Sequence, residues 1–290
     1  MSDKTITLAP SPVLNYCDQT NLHRKDVHLN QEDKPLNSNL CLTGSRLTKM
    51  QEIAAEIREK SHANQKANLL TFRNEIEKAR STTDILRAFF VCGLLQEKPQ
   101  TLTACTLATT ISIARAVADV CEKYPLLFGE IRGIKVKSRL RTSMATCSKE
   151  RMISLNPRYF CGNHTDKIEA AVKKNFWTSF SDKGGVYQIM AHELGHAVHF
   201  SLFNLLDRKG SFALPSIFNT AVRRRVLLKH GYNIENNLSK YAKKNCYEFF
   251  AEAFCELICS SQPRIFAQEL GVILEEITDG DLSMLIGFYR

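Results

Sequence analysis

The chain has 290 residues, 44% of them hydrophobic and 24% charged, with a formal net charge of +9. That length and balance give a globular protein with a substantial core and exclude a wholly disordered or fibrous chain. No apolar run reaches the roughly 18 residues of a membrane span. The basic clusters at 132–151 and 223–244 lack interleaved stacking aromatics, so no specific nucleic-acid binding is expected.

Residues 1–44 are polar, with Pro10, Pro12 and Pro35, and read as a flexible tail. They hold no basic-then-apolar signal, which places the protein in the cytoplasm or among effector-like or phage-associated proteins exported without a cleavable leader. From 45, Leu47, Met50, Ile53, Ala54 and Ile57 fall at helical spacing. A second helical stretch carries Leu69, Leu70, Phe72 and Ile76. A third, 83–96, starts with Asp84 as cap, carries Ile85, Leu86, Phe89 and Phe90, and stops before Pro99. Together 45–100 form a helical region bracing the back of a main domain, 101–290.

Within 101–290 the pattern gives a helix over 101–123, stopped before Pro125, and strands near 130–140 and 151–155. A helix near 166–176 follows, then a helix entered after Asp182, Gly184 and Gly185. The stretch 203–238, with Arg223, Arg224, Arg225 and Lys229, has no assignable motif and is open to a substrate-side role. A helix over 239–260 and a short one near 282–288 complete the chain. The fold class is therefore α+β, with a small, mainly antiparallel sheet. The ten cysteines show no Cys-x-x-Cys spacing and read as reduced, mostly buried thiols.

The chemistry concentrates in His192-Glu193-Leu194-Gly195-His196. Residues four apart lie one turn above each other on a helix, so His192 and His196 present two imidazoles to one metal ion. Glu193 is placed to polarise a water there, the arrangement of zinc peptidases. His199 continues the same helix without the glycine break that would bring a third histidine round, and reads as a neighbour or a core histidine. A catalytic zinc needs a third protein ligand. Glu248, Glu252 and Glu256 recur every four residues on the downstream helix, among Phe249, Phe250, Phe254 and Leu257. Carboxylates in such surroundings are costly to bury unless paired or metal-bound.

The segment 241–254 resembles the second active-site motif of gluzincin metallopeptidases of the anthrax-lethal-factor type, and a similar pattern occurs in phage head-protein metallopeptidases. Its fixed positions are met by Tyr241, Asn245, Glu248, Phe249, Ala251, Glu252 and Phe254. Residues 121–136 are similar to that family's helix end, Tyr-Pro turn and first strand, and 151–160 to its edge strand. The resemblance spans about 101–262. It implies a zincin-like domain with Glu248 as third ligand of one Zn2+ per chain and Tyr241 as the phenol assisting the transition state. It makes Glu252 the carboxylate that orients a zinc-bound histidine. Met152, Ile153, Ser154 and Leu155 would be the strand that pairs with a protein or peptide substrate. The expected function is a zinc-dependent endopeptidase. The competing reading is an inactive member of the fold serving as a binding or virion-structural component.

Overall fold

Capping side chains set where the helices begin. The computed structural model describes residues 52–53, 55–56, 63–138, 140, 143–162, 165–171, 182–208, 215–231, 238–282 and 285. The tail at 1–44, most of the helix read from 45, the stretch 172–176 and most of 282–288 lie outside the described residues, as do 209–214 and 232–237. Helix α1 is Ala63–Lys78 and α2 is Thr82–Val91. Ser81, not Asp84, is the N-cap of α2. Its hydroxyl accepts the Asp84 N–H at 3.3 Å while the Asp84 carboxylate accepts the Ser81 N–H at 2.9 Å, a reciprocal capping box. Helix α3, Leu107–Lys123, starts later than the sequence reading because 3-10 turn Gln100–Ala104 precedes it and Thr106 caps it through the Thr109 N–H.

Three short strands follow: β1 (Gly133–Val136), β2 (Ala145–Cys147) and β3 (Met152–Leu155). Their order is β1-β3-β2, with β1 parallel and β2 antiparallel to β3. The sheet is thus mixed rather than mainly antiparallel. Only the tight turn between β2 and β3, with Arg151 at φ 62°, enforces an antiparallel pair. The longer connection from β1 to β3 lets the chain re-enter in the same direction. The outer side of β1 is covered: Gln96 and Glu97 donate to the carbonyls of Ile131 and Arg132, and the Val136 N–H donates to the Thr101 hydroxyl.

Six helices come next: α4 (Pro157–Phe160), α5 (Thr165–Ala171), α6 (Gly185–Arg208), α7 (Ile217–His230), α8 (Cys246–Cys259) and α9 (Ile265–Thr278). Residues 185–202 of α6 are all buried, which makes it a central helix packed on every side. It lies against α3, α8 and β2. The two N-terminal helices share its core: Phe72 and Phe89 meet at 4.8 Å, α1 packs on α3, and one continuous apolar cluster runs from Ile53 to Leu285. Asp119 of α3 fastens this back face, accepting from Arg73 (2.8 Å), Lys183 (3.0 Å) and the Tyr187 hydroxyl (2.6 Å). On the other flank, α7 packs on α9, with Arg225, Lys229 and His230 gathered on Glu269. The described part of 203–238 is therefore bonded into the helical body. No helix among the described residues is long and apolar enough to cross a membrane.

Candidate metal centre

Helices α6 and α8 touch backbone to backbone at Gly195. A Cβ there would lie 3.0 Å from the Ala251 Cα and 3.1 Å from the Phe254 Cβ, so glycine is what permits the approach. The entry of α6 is fixed by Gly184 at φ 88° and by the Gly185 N–H, which donates to Glu169 of α5 at 2.6 Å; Asp182 is exposed. The entry of α8 is fixed by Asn245, whose backbone is extended and whose side-chain oxygen accepts the Glu248 N–H at 2.9 Å. This places Glu248 in the first turn of α8, opposite the two histidines.

The nitrogens His192 Nε2 and His196 Nε2 each lie 3.3 Å from Glu248 Oε2. One ligand atom from each of the three residues falls within 4.8 Å of the others, and all three residues are buried. A tetrahedral ion with bonds of about 2.0–2.1 Å would space its ligand atoms roughly 3.3 Å apart. Two of the three edges have that length, so the group is compatible with a metal ion. Among the described residues no fourth His, Cys, Asp or Glu joins the group.

One turn further along α8, Glu252 is 0% exposed. Its Oε1 lies 2.8 Å from His192 Nδ1, and its Oε2 accepts the Ser239 hydroxyl. A proton on Nδ1 facing Glu252 would leave Nε2 directed toward the centre. One turn further again, Glu256 is buried and accepts three hydrogen bonds from the Arg264 guanidinium, which ties α8 to α9. All three glutamates of the stripe are buried and partnered, which rules out a solvated acidic face.

Electrostatics follow from that burial. Desolvation works against a charge on His192, yet the Glu248 and Glu252 carboxylates outweigh it and hold the imidazole up at about 10. Burial pushes the Glu248 carboxyl up, but bonds to His192 and His196 prevail and hold it far below its ordinary range. Glu193 is also buried, and there desolvation wins over the two imidazoles, so its carboxyl is raised. The Cys147 backbone N–H faces this carboxylate and lowers it slightly, while Glu193 Oε2 is buried without a hydrogen-bond partner. The side chain thus has a buried oxygen with open capacity.

Tyr241 sits in the 3-10 turn Tyr241–Lys243, its ring 6.1 Å from that of His192 and under the Lys244 ammonium at 5.1 Å. His199 points elsewhere. Its Nε2 lies 3.0 Å from the Pro215 carbonyl, and Phe218, Phe250 and Tyr247 enclose the ring. Burial, and then the nearby His196, pull it down to about 3, so it is a neutral core histidine.

The strand Met152–Leu155 is not an edge, contrary to the expectation that it receives substrate. It is the middle strand, paired on one side with β1 and on the other with β2, and Met152, Ile153, Ser154 and Leu155 are all buried. The edge nearest the histidines belongs to β2, a strand the sequence reading missed. Ser148 donates to Met152 and Asn156 donates to Met144, so the alternation of the ladder turns the backbone groups of Ala145 and Cys147 away from β3. The Cys147 N–H is the one that reaches Glu193. Ser239 and Gly195 were also passed over. A glycine inside an apolar helix is itself a signal of close backbone approach; nothing local marks Ser239.

Comparison with protein-family models, with curated proteins and with solved structures returned no match.

Proposed function

We propose that the chain is a zinc-dependent endopeptidase of the gluzincin type built on a zincin-like domain, with one ion held by His192, His196 and Glu248. The observation that carries this reading is the pairing of a buried, open three-ligand group with a buried carboxylate, Glu193, one residue from a ligand and carrying an unsatisfied oxygen. A structural site would be closed by a fourth ligand and would gain nothing from Glu193. Zinc bound there supplies Lewis acidity and brings the pKa of a water to about 7.

The protein's own groups then divide the work. Burial raises the affinity of Glu193 for a proton, which suits it to take one from the attacking water and deliver it to the leaving amine. The Cys147 N–H keeps that carboxylate aimed while its second oxygen works. Glu252 holds the His192 tautomer and ring plane, and Ser239 holds Glu252. The Tyr241 hydroxyl donates to the oxyanion that develops on the scissile carbonyl. The substrate pairs as an added strand with the outward N–H and carbonyl of Ala145 and the carbonyl of Cys147 on β2, in place of β3. An extended protein segment is the substrate class that such an edge recognises.

The test uses full-length protein loaded with zinc and an unfolded protein as substrate. Glu193→Gln retains one zinc per chain and loses at least about a hundredfold in cleavage rate, the scale of a lost acid–base group. Glu248→Ala loses the zinc. Cleavage at the wild-type rate by Glu193→Gln would sink the mechanism.

A further inference from the structure

A cavity lies beside the centre, outside the three-ligand group. It has a volume of about 150 Å³ and is lined by Arg223, Leu238, Ser239, Ala242, Lys243, Phe249 and Phe266. Its floor is apolar, with Ala242, Phe249 and Phe266 buried. Its rim carries two exposed cations from different elements, Arg223 of α7 and Lys243 of the 3-10 turn. The contrast along α7 is informative. Arg225, Lys229 and His230 face Glu269, and Arg225 also holds Glu276. Arg223 instead donates to the neutral oxygen of Asn219 (2.9 Å) and lies over the Phe249 ring (5.1 Å). Neither Arg223 nor Lys243 has a carboxylate within ion-pair distance among the described residues.

A cavity of roughly 150 Å³ accepts a ligand about the size of one benzene ring. An apolar floor under two uncompensated cations selects such a body bearing an anion, and the planar fork of arginine matches a carboxylate. The polar wall is Ser239, whose hydroxyl is already donated to Glu252, and Glu252 touches His192. A ligand that shifts Ser239 therefore reaches a metal-holding imidazole through two contacts.

We infer that this cavity binds a small organic carboxylate about one ring in size, and that its occupancy changes the affinity of the His192 site for zinc through Ser239 and Glu252. The binding half stands on the cavity alone; the coupling half rests on the proposed metal site. Both are tested on full-length protein. Metal-free protein carrying His192→Ala, which removes the zinc site as a competing carboxylate acceptor, is titrated by calorimetry with benzoate, benzyl alcohol and inorganic phosphate. Benzoate binds in the millimolar range, and Arg223→Gln and Lys243→Gln each weaken it about tenfold, the scale of one charge-assisted hydrogen bond. Benzyl alcohol, lacking the charge, binds at least about tenfold more weakly. Absence of benzoate binding, or binding that both variants leave unchanged, overturns the site. Phosphate binding as tightly as benzoate overturns its organic character, because the apolar floor would then contribute nothing.

The coupling is read on His192-intact protein as the shift in zinc affinity caused by saturating benzoate, about fivefold or more in either direction. Ser239→Ala abolishes the shift while benzoate still binds. An unchanged zinc affinity in the wild type overturns the coupling. Failure of the chain to bind zinc at all overturns the metal reading and leaves the benzoate result standing.

Discussion

Gly195→Ala separates the geometry of the centre from the stability of the fold. The new methyl would meet the Ala251 Cα at 3.0 Å and the Phe254 Cβ at 3.1 Å. An ordinary carbon contact is about 3.5–4.0 Å, so α8 must retreat by about 0.5 Å. Overpacking of this kind costs about 1–3 kcal/mol. The exchange also returns about 1 kcal/mol, because alanine is the better helix residue. The metal-free protein is then destabilised by about 0–2 kcal/mol. The proposed zinc site is affected more, because ligand distances tolerate only about 0.2 Å and Glu248 moves with α8. Zinc affinity is expected to fall at least about tenfold, equivalent to about 1.4 kcal/mol. Urea unfolding of metal-free protein gives the first quantity, and competition against a chromophoric chelator gives the second. A variant that binds zinc within about twofold of wild type would show that the close helix approach does not set the ligand geometry.

Other outcomes follow from the same contacts. Glu252→Gln should weaken zinc about 10- to 100-fold in chelator competition, the usual effect of removing a carboxylate behind a metal-bound histidine; undiminished affinity would assign Glu252 to packing alone. Ala145→Pro deletes an outward N–H of β2 without touching the bonds to β3. It should raise KM for a cleaved protein about three- to tenfold at unchanged zinc content, the worth of one hydrogen bond, and an unchanged KM would remove β2 as the substrate edge. His199 is depressed in the fold from 6.5 to about 3. The unfolded chain takes up this proton as pH drops through 6.5 and the fold does not, so its contribution is intact above 6.5 and is lost progressively down to about pH 3. The slope is about 1.4 kcal/mol per pH unit. Between pH 7 and pH 5, metal-free wild type should therefore lose about 2 kcal/mol more than His199→Gln in urea unfolding. Equal losses would mean that His199 is protonated in the fold.

What could be read from the sequence was local, and what could not depended on pairing. The turn spacing of His192 and His196, and of Glu248, Glu252 and Glu256, needs only helical geometry. Asn245, known at first as a position in a pattern, has a physical role as the cap that starts α8 three residues before Glu248. The strands were harder. Met152-Ile153-Ser154-Leu155 was read as an edge, yet an almost unbroken apolar run is what a strand buried on both faces requires. Ala145–Cys147 is three residues long and carries no periodicity to detect. Its value to the site lies in one backbone N–H, a group every non-proline residue has. Ser239 is similarly invisible: its contact with Glu252 joins residues 13 apart on a turn and a helix.

The fastening at Asp119 has a practical consequence for any attempt to isolate a smaller active fragment. The boundary near residue 100 suggested by composition would cut away Arg73 and the apolar faces of Phe72 and Phe89. It would leave Asp119 with only Lys183 and Tyr187 to hold, and Arg115 and Glu122 without Glu77 and Arg73. Lys183 and Tyr187 flank the first turn of the helix that, five residues beyond Tyr187, carries His192. A truncation there would keep His192, His196 and Glu248 and still loosen the helix that presents the two histidines. The shortest stable fragment that keeps the His192, His196 and Glu248 group should therefore begin before α1.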